Sequence, residues 1–266
     1  MTKATIQSPS SSRIVPNADC SASEWKVRCE LAAAYRLVAA YGWTDLLSTH
    51  ISARIPGTND EFLINPYGLM FDEITASSLI KVDQNGHALS ESPFTINPAG
   101  FVIHSCIHVA RPDVACVMHT HTRDGVAVAT QAGGLLPNTQ HALVIWDLIA
   151  YHDFEGPALD LDEQKRLVAD LGSRQILILR NHGTLTAGST VGEAFVHMYR
   201  IERACKMQIA AQSSGAPLRP LSQEIIDRSI EAGRSIFSAQ GFAPSGQKEW
   251  DALLRKLDRE GANYQC

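Results

Sequence analysis

Short apolar runs that alternate with helical stretches constrain the fold of this chain more than any other feature of its sequence. Residues 114–121 and 175–179 are apolar, short and bounded by turn residues, which is typical of buried strands. Two further runs, at 50–55 and 62–64, flank a loop of Pro, Gly, Asn and Asp residues. A second hairpin is expected at 80–89, because Asn-Gly in its middle is a strong turn signal. The first strands are therefore expected to be antiparallel, within a single α/β domain.

Helical periodicity fills most of the remaining chain. It covers residues 21–40, 98–110, 124–131, 161–171 and 191–212, a short stretch after 137, and the segment from 219 onwards. Ser21 and Glu24 have the spacing of a capping box, which places the start of the first helix, and a polar loop is expected around 151–160. A length of 266 residues suits one hydrophobic core. The expected organisation is a disordered leader over 1–20, one domain over 21–215 and a C-terminal helical extension over 216–266.

Charge and cysteine content exclude several classes of protein. Lys and Arg number 23 against 28 Asp and Glu, a net charge of −5, which argues against a broad phosphate-binding surface for nucleic acid. The six cysteines include no C-x-x-C pair and are expected to be reduced thiols. The start of the chain lacks the apolar run of a signal peptide, and no later stretch has the uninterrupted apolar length of a membrane helix. A cytoplasmic protein with no nucleic-acid or membrane partner is expected.

The common nucleotide and hydrolase motifs are missing from the sequence. Residues 183–190 have the glycine spacing of a phosphate loop, but Ser189 stands where such a loop needs its lysine. No G-x-G-x-x-G, G-x-S-x-G or H-E-x-x-H motif occurs. The ten histidines are therefore the main candidates for chemistry.

His119-Thr120-His121 closes the apolar run at 114–121 and is the strongest metal-binding signal. Because strand side chains alternate between the two faces, both imidazoles are expected to project from one face. A catalytic metal site usually has a third protein ligand, and His182 is the best candidate because it directly follows the other buried run. The spacing of His119 and His121 alone also allows an alternative to a metal site: two histidines held by hydrogen bonds at the end of a strand.

His104 and His108 form a second pair, four residues apart on the predicted helix 98–110, so they share one helical face. This spacing also suits a metal ion. Acid/base chemistry, support of another ligand, or hydrogen bonds within the subunit are the other interpretations.

Several motifs together resemble the class II aldolase/adducin family, especially its adducin-type branch. They are Asn65-Pro66-Tyr67-Gly68, Phe71-Asp72-Glu73-Ile74-Thr75, Arg111-Pro112-Asp113, His119-Thr120-His121, Tyr151-His152-Asp153-Phe154-Glu155-Gly156 and Ile178-Leu179-Arg180-Asn181-His182-Gly183, within residues 25–215. The resemblance implies a three-layer α/β/α sandwich around a largely antiparallel sheet, usually assembled as a homotetramer. It also implies a small-molecule substrate and a divalent metal ion held by His119, His121 and His182 near a subunit interface. Zinc is the expected ion, with manganese and iron as alternatives.

The sequence departs from the sugar-phosphate aldolases of the family at the residues that hold phosphate. In those enzymes, the segment that matches Pro98-Ala99-Gly100 of this chain resembles Ser-Ser-Glu or Ser-Ser-Asp. Their serines bind phosphate, and the acid contacts the metal. Thr49-His50 and the segment 65–68 replace other parts of the same pocket. A buried phosphate needs hydrogen-bond donors or positive charge, so a non-phosphorylated substrate is expected. The substrate-binding candidates at these positions are His50, Asn65, Gly68 and Gly100.

Four residues compete for the general acid/base role: His141, His104, Glu73 and Asp72. His141 falls about where the aldolases carry a mobile catalytic tyrosine, and an imidazole can donate or accept a proton near neutral pH. A surface or interface histidine is the alternative interpretation of His141. Asp72 and Glu73 are also typical of solvated or helix-start carboxylates.

Three functions are compatible with these residues. The first is a metal-dependent carbon–carbon lyase, aldolase-like or decarboxylase-like, acting on a small non-phosphorylated hydroxy or keto carboxylate. The second is a non-haem iron oxygenase that uses the same three histidines. The third is a non-catalytic, adducin-like interaction module, against which the presence of all three predicted ligands argues.

Overall fold

A single mixed sheet forms the centre of the molecule. The computed structural model describes residues 20–156 and 162–266, with the backbone alone at 98 and 99; the expected leader over 1–20 lies outside these ranges except for Cys20. The strands are β1 (His50–Arg54), β2 (Glu61–Ile64), β3 (Ile80–Asp83), β4 (Cys116–Thr120), β5 (Ile149–His152), β6 (Ile176–Leu179) and β7 (Gly183–Gly188). Their order in the sheet is β3-β2-β1-β4-β7-β6-β5. Neighbours are antiparallel apart from the parallel pair β5 and β6, so the expected, largely antiparallel sheet is confirmed.

Helices cover both faces of the sheet. The α-helices of the described ranges are α1 (Ala22–Ala40), α2 (Pro98–Ala110), α3 (Arg123–Ala129), α4 (Gln140–Leu143), α5 (Glu163–Leu171), α6 (Val191–Ser213), α7 (Gln223–Phe237) and α8 (Gln247–Arg259). On one face α6 packs on β4 and β7, and α1 packs on β1; on the other face α2 and α5 contact the sheet and each other. The three-layer α/β/α sandwich is therefore confirmed. None of the described helices combines the length and the apolar character needed to span a membrane.

The alternation of side chains along β4 determines where the functional residues lie. Met118 belongs to the core beneath α1 and α6, whereas Val117 belongs to the core between the sheet and α2. The same alternation turns His119 toward the α2 side and Thr120 toward α6, where its hydroxyl contacts the sulfur of Met198. β4 thus separates an apolar and hydroxyl-rich side from a histidine-rich side.

The two expected hairpins differ in extent. β1 and β2 form a regular antiparallel pair, with Ser52 opposite Ile64. The second hairpin is shorter than expected, because the chain after β3 returns only as an isolated bridge between Val82 and Ala88. The side chain of Asp83 accepts hydrogen bonds from the backbone N–H groups of Asn85 and His87 and so stabilises the turn.

Two further segments differ from the sequence-based expectation. The expected polar loop over 151–160 is wrong at its start, since Tyr151 and His152 are the last residues of β5, an edge strand that pairs with β6. The segment 183–188, noted for its glycine spacing, is β7. Its glycines serve close packing: a Cβ at Gly183 would lie 2.5 Å from the carbonyl oxygen of Thr120, and one at Gly188 would lie 2.4 Å from the backbone nitrogen of Ala194.

Candidate metal centre

Three histidine side chains converge at one end of the sheet. The Nε2 atoms of His119 and His121 lie 2.8 Å apart, and the Nε2 of His182 lies 3.2 Å from the first and 3.0 Å from the second. Such a group can offer three ligand atoms to one metal ion. The structure thus brings together the three histidines singled out as metal ligands by the sequence.

Strand pairing explains how His182 reaches the other two. β7 lies between β4 and β6, so the tight turn from β6 into β7 runs beside the end of β4. Asn181 has a left-handed backbone with a φ of 57°, which Asn tolerates better than most residues, and its N–H donates to the carbonyl of Ala129. The conformation of this turn fixes the direction of the next residue, His182.

Hydrogen bonds to the far nitrogens assign the tautomers of two of these rings. Nδ1 of His119 lies 3.0 Å from the carbonyl oxygen of Thr184, and Nδ1 of His121 lies 3.0 Å from a carboxylate oxygen of Asp45. Because these oxygens only accept, both Nδ1 atoms carry the proton and both Nε2 atoms carry a lone pair. Two lone pairs at 2.8 Å repel each other unless a cation lies between them. The residues present therefore fit a metal ion.

The electrostatics of the cluster favour the neutral, ligating form of imidazole. Burial first, and then the neighbouring imidazoles, hold the pKa of His119 well below its ordinary value. Burial and then His121 lower the pKa of His182 to about 4. His119 is buried whereas the other two rings are partly exposed, so the cluster is open to solvent on one side.

A buried carboxyl group supports the ligand-bearing segments from the α6 side. Glu202 accepts hydrogen bonds from the hydroxyls of Thr122 and Thr184, residues that flank the ligand positions in sequence. Burial raises the pKa of Glu202 to about 7, against the effect of these two hydrogen bonds. A Cβ at Gly125 would lie 2.8 Å from the same carboxyl group, so glycine is needed there. Sequence reasoning missed both Glu202 and Asp45, because neither is close in sequence to the histidine it supports.

A second histidine cluster lies directly behind the first, between β1 and α2. Nδ1 of His50 is 2.8 Å from Nε2 of His104, and Nδ1 of His104 is 2.6 Å from the hydroxyl of Ser52. That hydroxyl is 2.8 Å from Nε2 of His108. The ring centroids of His50 and His119 are 5.3 Å apart, because the two residues are paired across β1 and β4. The four side chains are buried, and we call them the His50–His108 chain.

All three imidazoles of the His50–His108 chain are kept neutral. Burial is the largest cause in each case: it lowers the pKa of His50 and His108 to about 3 and holds that of His104 well below its ordinary value. The expectation that His104 and His108 share a helical face is confirmed. Their ring nitrogens contact Ser52 and His50.

Gly100 leaves the space that His50 occupies. A Cβ at position 100 would lie 2.2 Å from Cδ2 and 2.6 Å from Nε2 of His50. Distances this short do not occur between real atoms, so any larger residue at position 100 would displace the imidazole ring. Of the four candidate substrate-binding residues, these two therefore form one structural unit.

The other candidate residues lie elsewhere in the fold. Asn65 is buried, with its amide group 2.8 Å from the hydroxyl of Tyr35, and Gly68 lies against the ring of Phe94. Glu73 is exposed and accepts a hydrogen bond from the backbone N–H of Met70 in its own turn. Asp72 is also exposed, as is His141 on α4, a helix that packs on α6 and α7. Within the described residues, no hydrogen bond, ion pair or ring contact joins Asp72, Glu73 or His141 to the three-histidine cluster.

The sequence and the fold of this chain are both similar to those of known proteins. Residues 29–209 match the family described as the class II aldolase and adducin N-terminal domain. The crystal structure of an aldolase II superfamily protein from Pseudomonas syringae is 50% identical, with a TM-score of 0.88 over 93% of this chain and 98% of that one. Alpha-adducin of Mus musculus is 38% identical over 247 residues, which cover 88% of this chain and 33% of the adducin. The L-fuculose 1-phosphate aldolase of Glaciozyma antarctica is 25% identical, with a TM-score of 0.77 over 92% of this chain and 96% of that one.

Proposed function

Since this chain belongs to the class II aldolase and adducin family, we propose that it is a metal-dependent carbon–carbon lyase, aldolase-like or decarboxylase-like. The substrate is a small, non-phosphorylated hydroxy or keto carboxylate. One observation carries the proposal: the Nε2 lone pairs of His119 and His121 face each other at 2.8 Å, with His182 beside them.

His119, His121 and His182 are the proposed metal ligands. Three neutral nitrogen donors that leave open positions suit zinc, which is the ion we propose, with manganese or iron as the alternatives. A divalent ion held there would act as a Lewis acid and stabilise negative charge on a substrate oxygen as a carbon–carbon bond breaks or carbon dioxide leaves. Asp45 and the carbonyl of Thr184 would keep two of the rings in the ligating tautomer.

The surroundings of the cluster support a substrate without phosphate. His50 fills the space beside Gly100 with a neutral imidazole, and burial keeps it neutral. The guanidinium of Arg180, close in sequence to His182, stacks over the ring of Tyr151 and pairs with Asp153. Arg180 is thus already engaged and is not free to bind a phosphate. His104 reaches the site only through His50, and its acid/base role, like those of His141, Glu73 and Asp72, remains a prediction.

We also propose that the chain works as a cytoplasmic homotetramer, with 21–215 as the catalytic domain and 216–266 as a helical extension. Two large apolar side chains near the cluster support a subunit contact. Leu46, next to Asp45, is 70% exposed, and Phe154, whose ring lies 6.4 Å from that of His182, is 54% exposed. Light scattering coupled to size-exclusion chromatography measures the assembly; a monomer at micromolar concentration would contradict it.

The reaction is tested with proton NMR in D2O. Zinc-loaded and manganese-loaded protein is incubated with a panel of small hydroxy and keto carboxylates, and we expect at least one to lose a carbon-bound proton signal and to yield cleavage or decarboxylation products. His182→Ala should abolish the effect, whereas His87→Ala, at an exposed histidine outside the cluster, should leave it unchanged.

Two other outcomes would contradict the lyase. Consumption of dioxygen by the iron-loaded protein, in step with loss of a carboxylate, would favour the oxygenase. No turnover with any of the three metals would favour an interaction module, the candidate that the 38% identity to alpha-adducin supports.

A further inference from the structure

We propose that a pocket between α1, α3 and α6 binds a small organic anion in which a planar ring carries a phosphate or carboxylate group. The pocket is a cavity of about 480 Å³ on the α6 side of the sheet, opposite the side that holds the His50–His108 chain. Its volume lies within the range of small-molecule sites. Binding at this pocket does not depend on the proposed lyase function.

Three aromatic side chains line the pocket. Tyr41 and Trp43 are stacked, with ring centroids 4.8 Å apart and planes 19° from parallel, and the ring centroid of Tyr199 lies 5.6 Å from that of Tyr41. Gly42, with a φ of 70°, ends α1 in a Schellman motif and turns Trp43 back onto Tyr41. Tyr41 and Tyr199 are each 38% exposed, so a planar ligand has aromatic surface to pack on.

Two cationic side chains of α6, Arg203 and Lys206, also line the pocket and are exposed. They lie on the same helical face as Tyr199, because the successive spacings are four and three residues. Within residues 20–156 and 162–266, no hydrogen bond or ion pair engages either of these side chains. In a chain whose net charge is −5, such a pair of cations at a concave surface attracts an anion.

The two acidic side chains that line the pocket do not cancel this charge. Asp124 is paired with Arg123, 3.0 Å away, so these two are neutral in sum. Glu202 accepts hydrogen bonds from the hydroxyls of Thr122 and Thr184, one at each carboxylate oxygen. Burial raises the pKa of Glu202 to about 7, so its negative charge is only partial at neutral pH. The charge that faces a ligand is therefore positive.

The rings and the cations would contact different parts of one ligand. A planar ring gains contact area on the aromatic side chains, whereas an anionic group attached to it pairs with Arg203 and Lys206. The guanidinium fork matches both carboxylate and phosphate, and a phosphate ester brings up to two negative charges to the two cations. Burial and then Tyr199 raise the pKa of Tyr41, so its hydroxyl stays a hydrogen-bond donor at neutral pH.

Indole NMR signals test binding at this pocket in the full-length protein. Of the four tryptophans, all within the described ranges, Trp43 alone lines the pocket, and Trp43→Phe assigns its signal. We expect phenyl phosphate and benzoate at millimolar concentration to shift the indole N–H signal of Trp43 and to leave the other three in place. No shift of Trp43 would overturn the proposal.

The choice of probes separates the anion from the ring. Benzamide has the ring of benzoate without its charge and should bind about 4–25-fold more weakly, the loss expected for two exposed ion pairs. Tighter binding of phenyl phosphate than of benzoate would assign a phosphate ester as the ligand class, and the reverse order would assign a carboxylate; both support an anion site. Benzamide binding as tightly as either anion would overturn it.

Variants at the exposed cations test the assignment without disturbing the core. Arg203→Ala and Lys206→Ala should each weaken phenyl phosphate binding about 2–5-fold, and the double variant about 4–25-fold. Arg219→Ala, at an exposed arginine outside the pocket, is the matched control and should leave the affinity unchanged. Unchanged affinity in the folded double variant would refute the proposal. Zinc-free protein is titrated alongside the zinc-loaded protein, so a failure to bind zinc would count against the proposed function alone.

Discussion

Gly100→Ala gives a quantitative test of the contact between α2 and His50. The new Cβ would lie 2.2 Å from Cδ2 of His50, whereas ordinary contacts begin at 3.4 Å, so the ring must move by the difference, 3.4 − 2.2 = 1.2 Å. A shift of that size breaks the 2.8 Å hydrogen bond between His50 and His104. Overpacking costs about 1–3 kcal/mol and a buried hydrogen bond left unmade about 1–3 kcal/mol, offset by about 1 kcal/mol of helix propensity.

The expected net loss of stability is about 3 kcal/mol, or a fall in Tm of about 6–12 °C for a domain of this size. Thermal and urea unfolding followed by circular dichroism measure it. Gly133→Ala is the control, because the nearest atom to its new Cβ lies at 3.4 Å and the backbone there is unstrained; it should change Tm little.

A double-mutant cycle isolates the contact from the propensity term. In the His50→Ala background the ring is gone, so Gly100→Ala should keep only its helix-propensity gain of about 1 kcal/mol, and the coupling between the two substitutions should be about 4 kcal/mol. If Gly100→Ala costs the same with and without the His50 ring, or leaves Tm unchanged, the steric argument is wrong.

Two further predictions concern the residues that support the ligands. Asp45→Ala should weaken zinc binding about 10–100-fold in a chelator competition, because His121 loses the partner that fixes its tautomer; unchanged affinity would show that Asp45 plays no such part. Glu202 should make stability depend on pH: its folded pKa of about 7 lies above the unfolded value of 4.5, so the stability that its protonated form retains at low pH is lost as pH rises from 4.5 to 7. The loss should approach about 3 kcal/mol and be absent in Glu202→Gln, and parallel pH profiles of wild type and variant would contradict the burial of this carboxyl group.

The sequence was informative where local periodicity decides the outcome. The two-residue repeat of a strand correctly placed His119 and His121 together, and the helical repeat placed His104 and His108 on one face. The position of His182 at the end of a buried run was enough to single it out, although the strand that brings it to His119 is β7, whose small and hydroxyl-bearing residues do not form an apolar run.

Contacts set by tertiary pairing could not be predicted in the same way. The register that places His50 opposite His119 joins β1 to β4, and nothing local to either strand encodes it. Asp45 and Glu202 likewise reach the centre from distant segments. Tyr151 and His152 cannot be recognised as strand residues from the sequence, because an edge strand of four residues, half polar, has no distinctive pattern.

Elemental analysis of the purified protein tests the three-histidine centre most directly. The protein is purified without added metal and again after incubation with zinc, manganese or iron, alongside His119→Ala and, as a control, His87→Ala. We expect close to one metal ion per chain in the wild type and in His87→Ala, and a loss of most of it in His119→Ala. A wild-type protein that carries no metal and takes up none would contradict the metal centre, and full occupancy in His119→Ala would contradict the assignment of its ligands.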